Sequence, residues 1–198
     1  MTVQYPDRRV RKTKEWLKTS LLALIEEKPF HHITITELVQ RADCTRATFY
    51  AHYDQLERLL DEIITEAFEA MTTAFRMPYA GQKAVRFDQM PSNAVVLFNH
   101  FLAYRTFYKL MLGPHINYNF REKLTKHLDQ LYRQEFDLVV SESDKPLDLK
   151  YFSTYRIHGI IGLILTWIDE DFKESPDFMS QQLIQVLKFS TPGFYVRT

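Results

Sequence analysis

Residues 33–53 read ITITELVQRADCTRATFYAHY, and this stretch decides the fold. Thr34-Ile-Thr-Glu37 has the spacing of a capping box, in which Thr34 caps a helix and Glu37 reaches back to the cap backbone. The helix it opens is short, running to about Ala42, with Leu38 and Val39 apolar. Asp43-Cys44-Thr45 follows as a turn, since aspartate tolerates left-handed backbone better than most residues other than glycine. A second short helix covers residues 46–52. Two short helices joined by a turn of three or four residues form the core of a helix-turn-helix unit. In such a unit the second helix enters the major groove of DNA and the first braces it across the backbone.

The second helix sorts by face. At about 100° per residue, Phe49 and Tyr53 share one side and should pack inward. Ala47, Thr48, Ala51 and His52 point the other way, a small and polar face suited to close approach to base edges. Thr45 and Arg46 stand at the start of the helix, where backbone N–H groups favour phosphate. Arg46 can donate two hydrogen bonds to a guanine edge, and the Tyr50 hydroxyl can reach a phosphate oxygen.

Outward from this stretch the chain reads as helices throughout. Residues 13–27 place Leu17, Leu21, Leu24 and Ile25 on one face, and Lys28-Pro29 ends that helix. Asp54-Gln-Leu-Glu57 is a further cap signal, opening a long helix over 55–75. Residues 77–90, with Pro78 and Gly81, read as a linker. Helices are expected over 92–111, 117–140, 147–170 and 177–189, separated by Gly113-Pro114, residues 141–146 and Ser175-Pro176. The fold class expected is all-α: an N-terminal three-helix helix-turn-helix unit, residues 1–54, and a C-terminal helical bundle for regulation and dimerisation, residues 55–198.

Composition supports this layout. Apolar residues make up 45% of the 198, enough for a substantial core, and there are only five glycines. The single cysteine, Cys44, excludes an internal disulfide framework and fits a reducing cytoplasm. The polar, basic N-terminus shows no signal peptide, and the apolar run 157–168 is too short to span a bilayer, so no membrane partner is expected. The net charge is zero, but residues 1–53 hold nine Lys/Arg against six Asp/Glu. Arg8, Arg9, Arg11, Lys12 and Lys14 lie close together, and such a local patch matters more for phosphate contact than the total. No HExxH, GxSxG or P-loop pattern is present, and the seven histidines form no metal-ligand spacing. Neither an enzyme, a cofactor nor a bound metal is expected.

Residues 13–60, above all Ile33-Thr-Ile-Thr-Glu-Leu-Val39 and the run from Arg41 to Tyr53, resemble the DNA-binding domain of the TetR family. The resemblance implies a cytoplasmic homodimer, often a repressor, that binds a near-palindromic operator in double-stranded DNA. It implies that Thr34 and Thr36 anchor the first helix on phosphate. Arg46, Ala47, Thr48 and Ala51 would then face bases, and Thr45, Tyr50 and His52 the backbone. Asp43 and Ala47 stand where glycines are usual, and Leu56 where a lysine is usual, with Arg58 two residues on. The alternative reading is a helical protein–protein adaptor whose DNA-binding unit has degenerated, and Leu56 is its support.

The run from Tyr155 to Ile168, followed by Ser175-Pro-Asp, resembles the C-terminal body of the same family. There the last two long helices pair with their copies across a two-fold axis. That assigns Gly159, Gly162, Ile160, Leu163 and Trp167 to a dimer interface; burial inside one subunit satisfies the same pattern. The resemblance also implies a small-molecule effector. Phe98, His100, Phe101, Tyr104, Phe107 and Met111 recur at helical spacing and fit either an aromatic-lined pocket or a plain core helix. His115 and His158 are further polar candidates.

Overall fold

The computed structural model describes residues 8–81, 96–116, 119–135 and 148–188. Among them lie nine α-helices and no strand. They are α1 (Arg8–Glu27), α2 (Ile35–Arg41), α3 (Arg46–Tyr50), α4 (Leu56–Arg76), α5 (Leu97–Ala103), α6 (Arg105–Leu112), α7 (Phe120–Glu135), α8 (Leu149–Asp169) and α9 (Pro176–Lys188). Short 3-10 turns cover Phe30–His32 and Met77–Tyr79. The all-α architecture is as expected. None of the described helices is long and apolar enough to cross a membrane.

Two compact units are present. The first comprises the described residues within Met1–Glu69 and Thr106–Leu124. Its core is built from the inward stripe of α1, with Leu17, Leu21 and Ile25 fully buried, against Leu38, Phe49, Leu59 and Leu60. Phe120 at the start of α7 meets Phe68 of α4 and Phe107 of α6, with ring centroids 5.9 and 5.6 Å apart. The second unit comprises the described residues of Ala70–Arg105 and those from Thr125 onward. There Trp167 of α8 is buried, edge-on to Phe98 of α5 and to Phe172. Its indole N–H donates to the Glu174 carbonyl at 3.0 Å.

Two elements differ from expectation. Helix α1 begins at Arg8, so the basic cluster is helical and does not precede the helix. Lysine and arginine are good helix formers, which lets α1 extend back through them. The aromatic helix expected over 92–111 is two helices, broken at Tyr104 (φ −101°, ψ 21°). No glycine or proline marks that break. The expected linker is described only to Gly81, which adopts φ 77°, and the expected boundary segment 141–146 lies outside the described residues.

Candidate nucleic-acid interface

The expected brace helix is present with its cap complete. The Thr34 hydroxyl accepts from the Glu37 N–H at 3.3 Å, and the Thr34 N–H donates to the Glu37 carboxylate at 2.9 Å. The Thr34 hydroxyl also meets that carboxylate at 2.8 Å, so its proton is engaged within the cap. Thr36, two residues further on, is exposed. Lys28 pairs with Glu37, and this contact, followed by the bonds from Thr34, holds the carboxyl down at about 2. Helix α2 closes through a Schellman-type turn. The Cys44 N–H bonds to the Val39 carbonyl at 2.9 Å and the Asp43 N–H to that of Gln40 at 3.3 Å. Asp43 takes the left-handed position between them, at φ 48°, where glycine has no steric cost.

Thr45 then caps α3. Its hydroxyl accepts from the Thr48 N–H at 3.1 Å and lies 2.9 Å from the Thr48 hydroxyl. The two threonines therefore fix each other, and Thr48 is half-buried. The helix is only five residues long, with Ala51 as its C-cap. The His52 and Tyr53 N–H groups both reach the Phe49 carbonyl at 2.9 Å. Phe49 is fully buried and Tyr53 nearly so, as their spacing predicts. Arg46, Ala47 and Ala51 are exposed, Tyr50 stands 52% exposed, and His52 is half-buried. A short helix held by two aromatic anchors thus presents Arg46 at one end and Tyr50 along its length.

Supports around this unit were not foreseen in the sequence. Lys18 is buried on α1, 3.0 Å from Glu62, and also pairs with Glu66 on α4. Burial pulls its ammonium down, but the bonds to Glu66 and Glu62 outweigh that and raise it. Lys14 pairs with Glu62 at 3.0 Å and lies 5.2 Å from the centre of the Tyr53 ring. The matched spacing of two lysines on α1 and two glutamates on α4 was the available signal. It becomes readable only once the two helices are known to be neighbours. His115 acts as a peg between segments of this unit. Its Nδ1 lies 2.7 Å from the Ile25 carbonyl, and its own carbonyl accepts from the Phe30 N–H at 2.9 Å.

Leu56 is buried at the start of α4, which accounts for an apolar residue in place of a lysine, while Arg58 is exposed. Cys44 is half-buried, and burial followed by the Asp43 charge pushes its thiol up, away from the reactive thiolate.

The other sequence-derived residues are distributed differently from expectation. Phe98, His100, Phe101 and Tyr104 lie in the second unit, and Phe107 and Met111 in the first, on a separate helix. His100 is buried and stacks on Tyr104, with ring centroids 4.5 Å apart. Burial lowers its imidazole to about 4, so it is neutral at pH 7. On α8, Trp167 and Ile160 are buried within the chain and Leu163 is half-buried. Gly159 and Gly162 are exposed, and among the described residues a Cβ at either would meet nothing within 4 Å. His158, exposed beside Gly159, lies 3.8 Å from Asp129.

An all-helical chain with such a unit at its N-terminal end falls in the class of helix-turn-helix transcription regulators. A family profile described as "Transcriptional regulator C-terminal region", of the TetR type, matches residues 88–189, half of the chain, and the chain belongs to the TetR family of transcriptional regulators. It is 21% identical over 180 residues to the HTH-type transcriptional regulator YxbF of Bacillus subtilis (strain 168). That match covers 90% of this chain but 45% of the relative, so the chain spans less than half of the relative's length. Among solved structures it resembles the dihydroxyacetone kinase operon activator DhaS, with a TM-score of 0.58 and 18% identity, covering 89% of this chain and 94% of that one. It also resembles a TetR regulator from Streptococcus agalactiae 2603V, with a TM-score of 0.55 and 21% identity, covering 91% and 96%. At these identities the structural likenesses show the fold alone.

Proposed function

We propose that two copies of the chain bind a near-palindromic operator in double-stranded DNA and regulate transcription in the cytoplasm, with a small molecule releasing them. The observation that carries this reading is the tip of α3. Its apolar anchors, Phe49 and Tyr53, are buried, while Arg46, Ala47 and Ala51 are exposed on a small, polar face. In this reading Arg46, Ala47, Thr48 and Ala51 face bases, and Arg46 is the principal base reader. Thr36, Thr45, Tyr50 and His52 hold phosphates, and Thr34 serves there mainly through the helix it caps. Residues 1–54 form the DNA-binding segment and 55–198 the regulatory one.

The outer face of α8 supports the dimer. Gly159 and Gly162 leave open space that none of the described residues fills, which favours an approaching helix over subunit packing. Ile160 and Trp167 would then act from behind, fixing the face rather than touching the second copy. A dimer holds two reading helices roughly 34 Å apart, one turn of DNA. An effector in the body that favours a different tilt of α4 changes that spacing and costs DNA affinity. The neutral His100 imidazole, stacked on Tyr104, supplies a polar group suited to an uncharged ligand.

The test is a selection of bound sequences from a random duplex pool, followed by a gel shift across a salt titration. The expected result is an enriched site with two half-sites about one turn apart, and affinity that falls steeply with salt. No enrichment, together with salt-insensitive behaviour, would replace this reading with the protein–protein adaptor.

A further inference from the structure

We propose that the outer face of α1 docks against α1 of a second copy, laid antiparallel around Trp16, and so joins dimers bound side by side on one duplex. This rests on the DNA-binding reading of α3 and gives a partner to a face to which that reading assigns no role.

Three observations lead here. The first is an exposed tryptophan. Of the two tryptophans in the chain, Trp167 is buried with its N–H bonded, whereas Trp16 is 56% exposed. Trp16 makes no hydrogen bond and no ring contact among the described residues. The buried stripe of α1, with Leu17, Leu21 and Ile25, belongs to the core shared with α2, α3 and α4. At about 100° per residue, Trp16, Thr19 and Ala23 project away from that stripe. Their face is therefore turned from the reading helix.

The second observation is spacing. Arg9, Lys12, Trp16, Thr19, Ala23 and Glu26 recur at alternating intervals of three and four. This is the spacing of a seam along which one helix meets another. Ala23 is half-buried and the other five are exposed. Thr19 and Ala23 are small beside Trp16, so in two antiparallel seams the large side chain of each copy meets the small ones of the other.

The third observation is charge, and it selects the occupant. A helix favours anions in its first turn and cations in its last. Helix α1 has no acidic residue in its first turn and no basic residue in its last. Arg8, Arg9 and Arg11 open it, and Glu26 and Glu27 close it. Glu27 is paired with Arg41 at 2.7 Å, but Lys12 and Glu26 make no ion pair among the described residues. Nucleic acid would answer the cationic end alone. A second α1 laid antiparallel answers both ends at once, with Arg9 and Lys12 of each copy beside Glu26 of the other. Such a contact is self-complementary about a two-fold axis.

Size decides where this contact acts. From Arg9 to Glu26 the seam is about 26 Å long at 1.5 Å per residue. One pair of such helices covers well under the roughly 1,600 Å² of a stable interface, so free dimers should associate weakly. Two dimers held on one duplex meet at a far higher effective concentration, and there the contact becomes cooperative binding. Within one dimer the reading helices stand roughly 34 Å apart, so the second copy comes from a neighbouring dimer.

The experiment uses the full chain and duplexes carrying one or two copies of a site enriched from the random pool. The spacing between two copies is stepped by single base pairs through one helical turn. The quantity read by gel shift is the ratio of affinity for the second site to affinity for a single site. The parent should gain at least about tenfold at one phasing. Trp16→Ala should melt as the parent does, bind single sites as tightly, and lose the gain. Glu26→Lys should also lose it, and adding Lys12→Glu to Glu26→Lys should recover it, since the two ends then attract again. Because the gain is a ratio, any phosphate contact of Lys12 cancels. A parent that binds no single site overturns the DNA-binding reading and the pairing with it. A parent that binds single sites with no gain at any phasing overturns the pairing alone. So does a gain that survives Trp16→Ala, or one that the paired charge swap does not recover. Trp16-dependent binding to phosphatidylglycerol vesicles, with no gain on tandem sites, gives the face to a membrane and overturns the pairing as well.

Discussion

His100 offers a direct measure of how dry the interior of the second unit is. It is 6% exposed, stacked on Tyr104, and burial lowers it to about 4 from an ordinary 6.5. The sign follows from which state takes the proton first. Between pH 6.5 and 4 the unfolded chain binds it and the folded chain does not, so acid favours unfolding. The stabilisation is complete above pH 6.5 and is lost as pH falls toward 4. Linkage with these two values gives about 2 kcal/mol lost between pH 7.5 and 5, with a ceiling of about 3 kcal/mol below pH 4. The perturbation is His100→Gln, which keeps polar capacity and cannot titrate in this range. Urea unfolding of parent and variant at pH 7.5, 6 and 5, at equal protein concentration, isolates the difference. The parent should lose about 2 kcal/mol more than the variant on going to pH 5. By NMR the His100 ring should hold its neutral shifts down to about pH 4.5. Equal acid sensitivity in the two proteins, or a ring that titrates near 6.5, would refute a dry site.

Arg46→Ala should cost roughly 1–3 kcal/mol on the selected operator and relax preference at one base step, read by competition gel shifts. A variant that ranks operators as the parent does would remove Arg46 as base reader. Gly162→Leu, placed where a Cβ meets none of the described residues within 4 Å, should fold normally yet sediment as a monomer; a stable dimer would place the interface elsewhere. Asp43→Gly, at φ 48°, should raise stability by about 0.5–1 kcal/mol in thermal melts without changing operator preference. Lys18→Ala should destabilise by about 1–3 kcal/mol, because Glu62 and Glu66 are left part-buried with one partner fewer; the half-exposed Glu66 contributes the smaller share. A double cycle with Glu62→Gln that shows no coupling would mean the cluster is held by packing instead.

How much of the molecule is legible in its sequence depends on where the determining interactions lie. The cap at Thr34–Glu37, the turn at Asp43 and the inward pair Phe49–Tyr53 are all set by residues within four positions of one another, so the string carries them. The α1–α4 ion cluster spans 48 positions, and the His115 peg 90, so no local pattern announces either. The break at Tyr104 is similar: the aromatic spacing from Phe98 to Met111 continues smoothly across it. Helix α8 is obscure for a different reason. Residues 157–168 are apolar nearly all round, so their periodicity has almost no phase, and the buried face cannot be told from the open one. The pattern therefore groups Trp167 and Ile160 with Gly159 and Gly162, although the structure buries the first two and leaves the glycines open.

The reading helix shows why a local signature can still specify a site. Five residues are far too few to hold a helix in water, where even 12 to 15 are marginal. Helix α3 persists because both ends and one side are secured. Thr45 fills its first turn, the Phe49 carbonyl takes two N–H groups at its end, and the Phe49 ring is fully buried. The direction of Arg46 is then set by the core beneath it rather than by the helix itself. Whatever reorients that core, through α1 or α4, moves Arg46 with it. Lys14, which lies beside the Tyr53 ring, and Lys18 tie α1 to α4, so in the proposed DNA-binding reading they are part of how Arg46 is aimed, although neither need touch DNA.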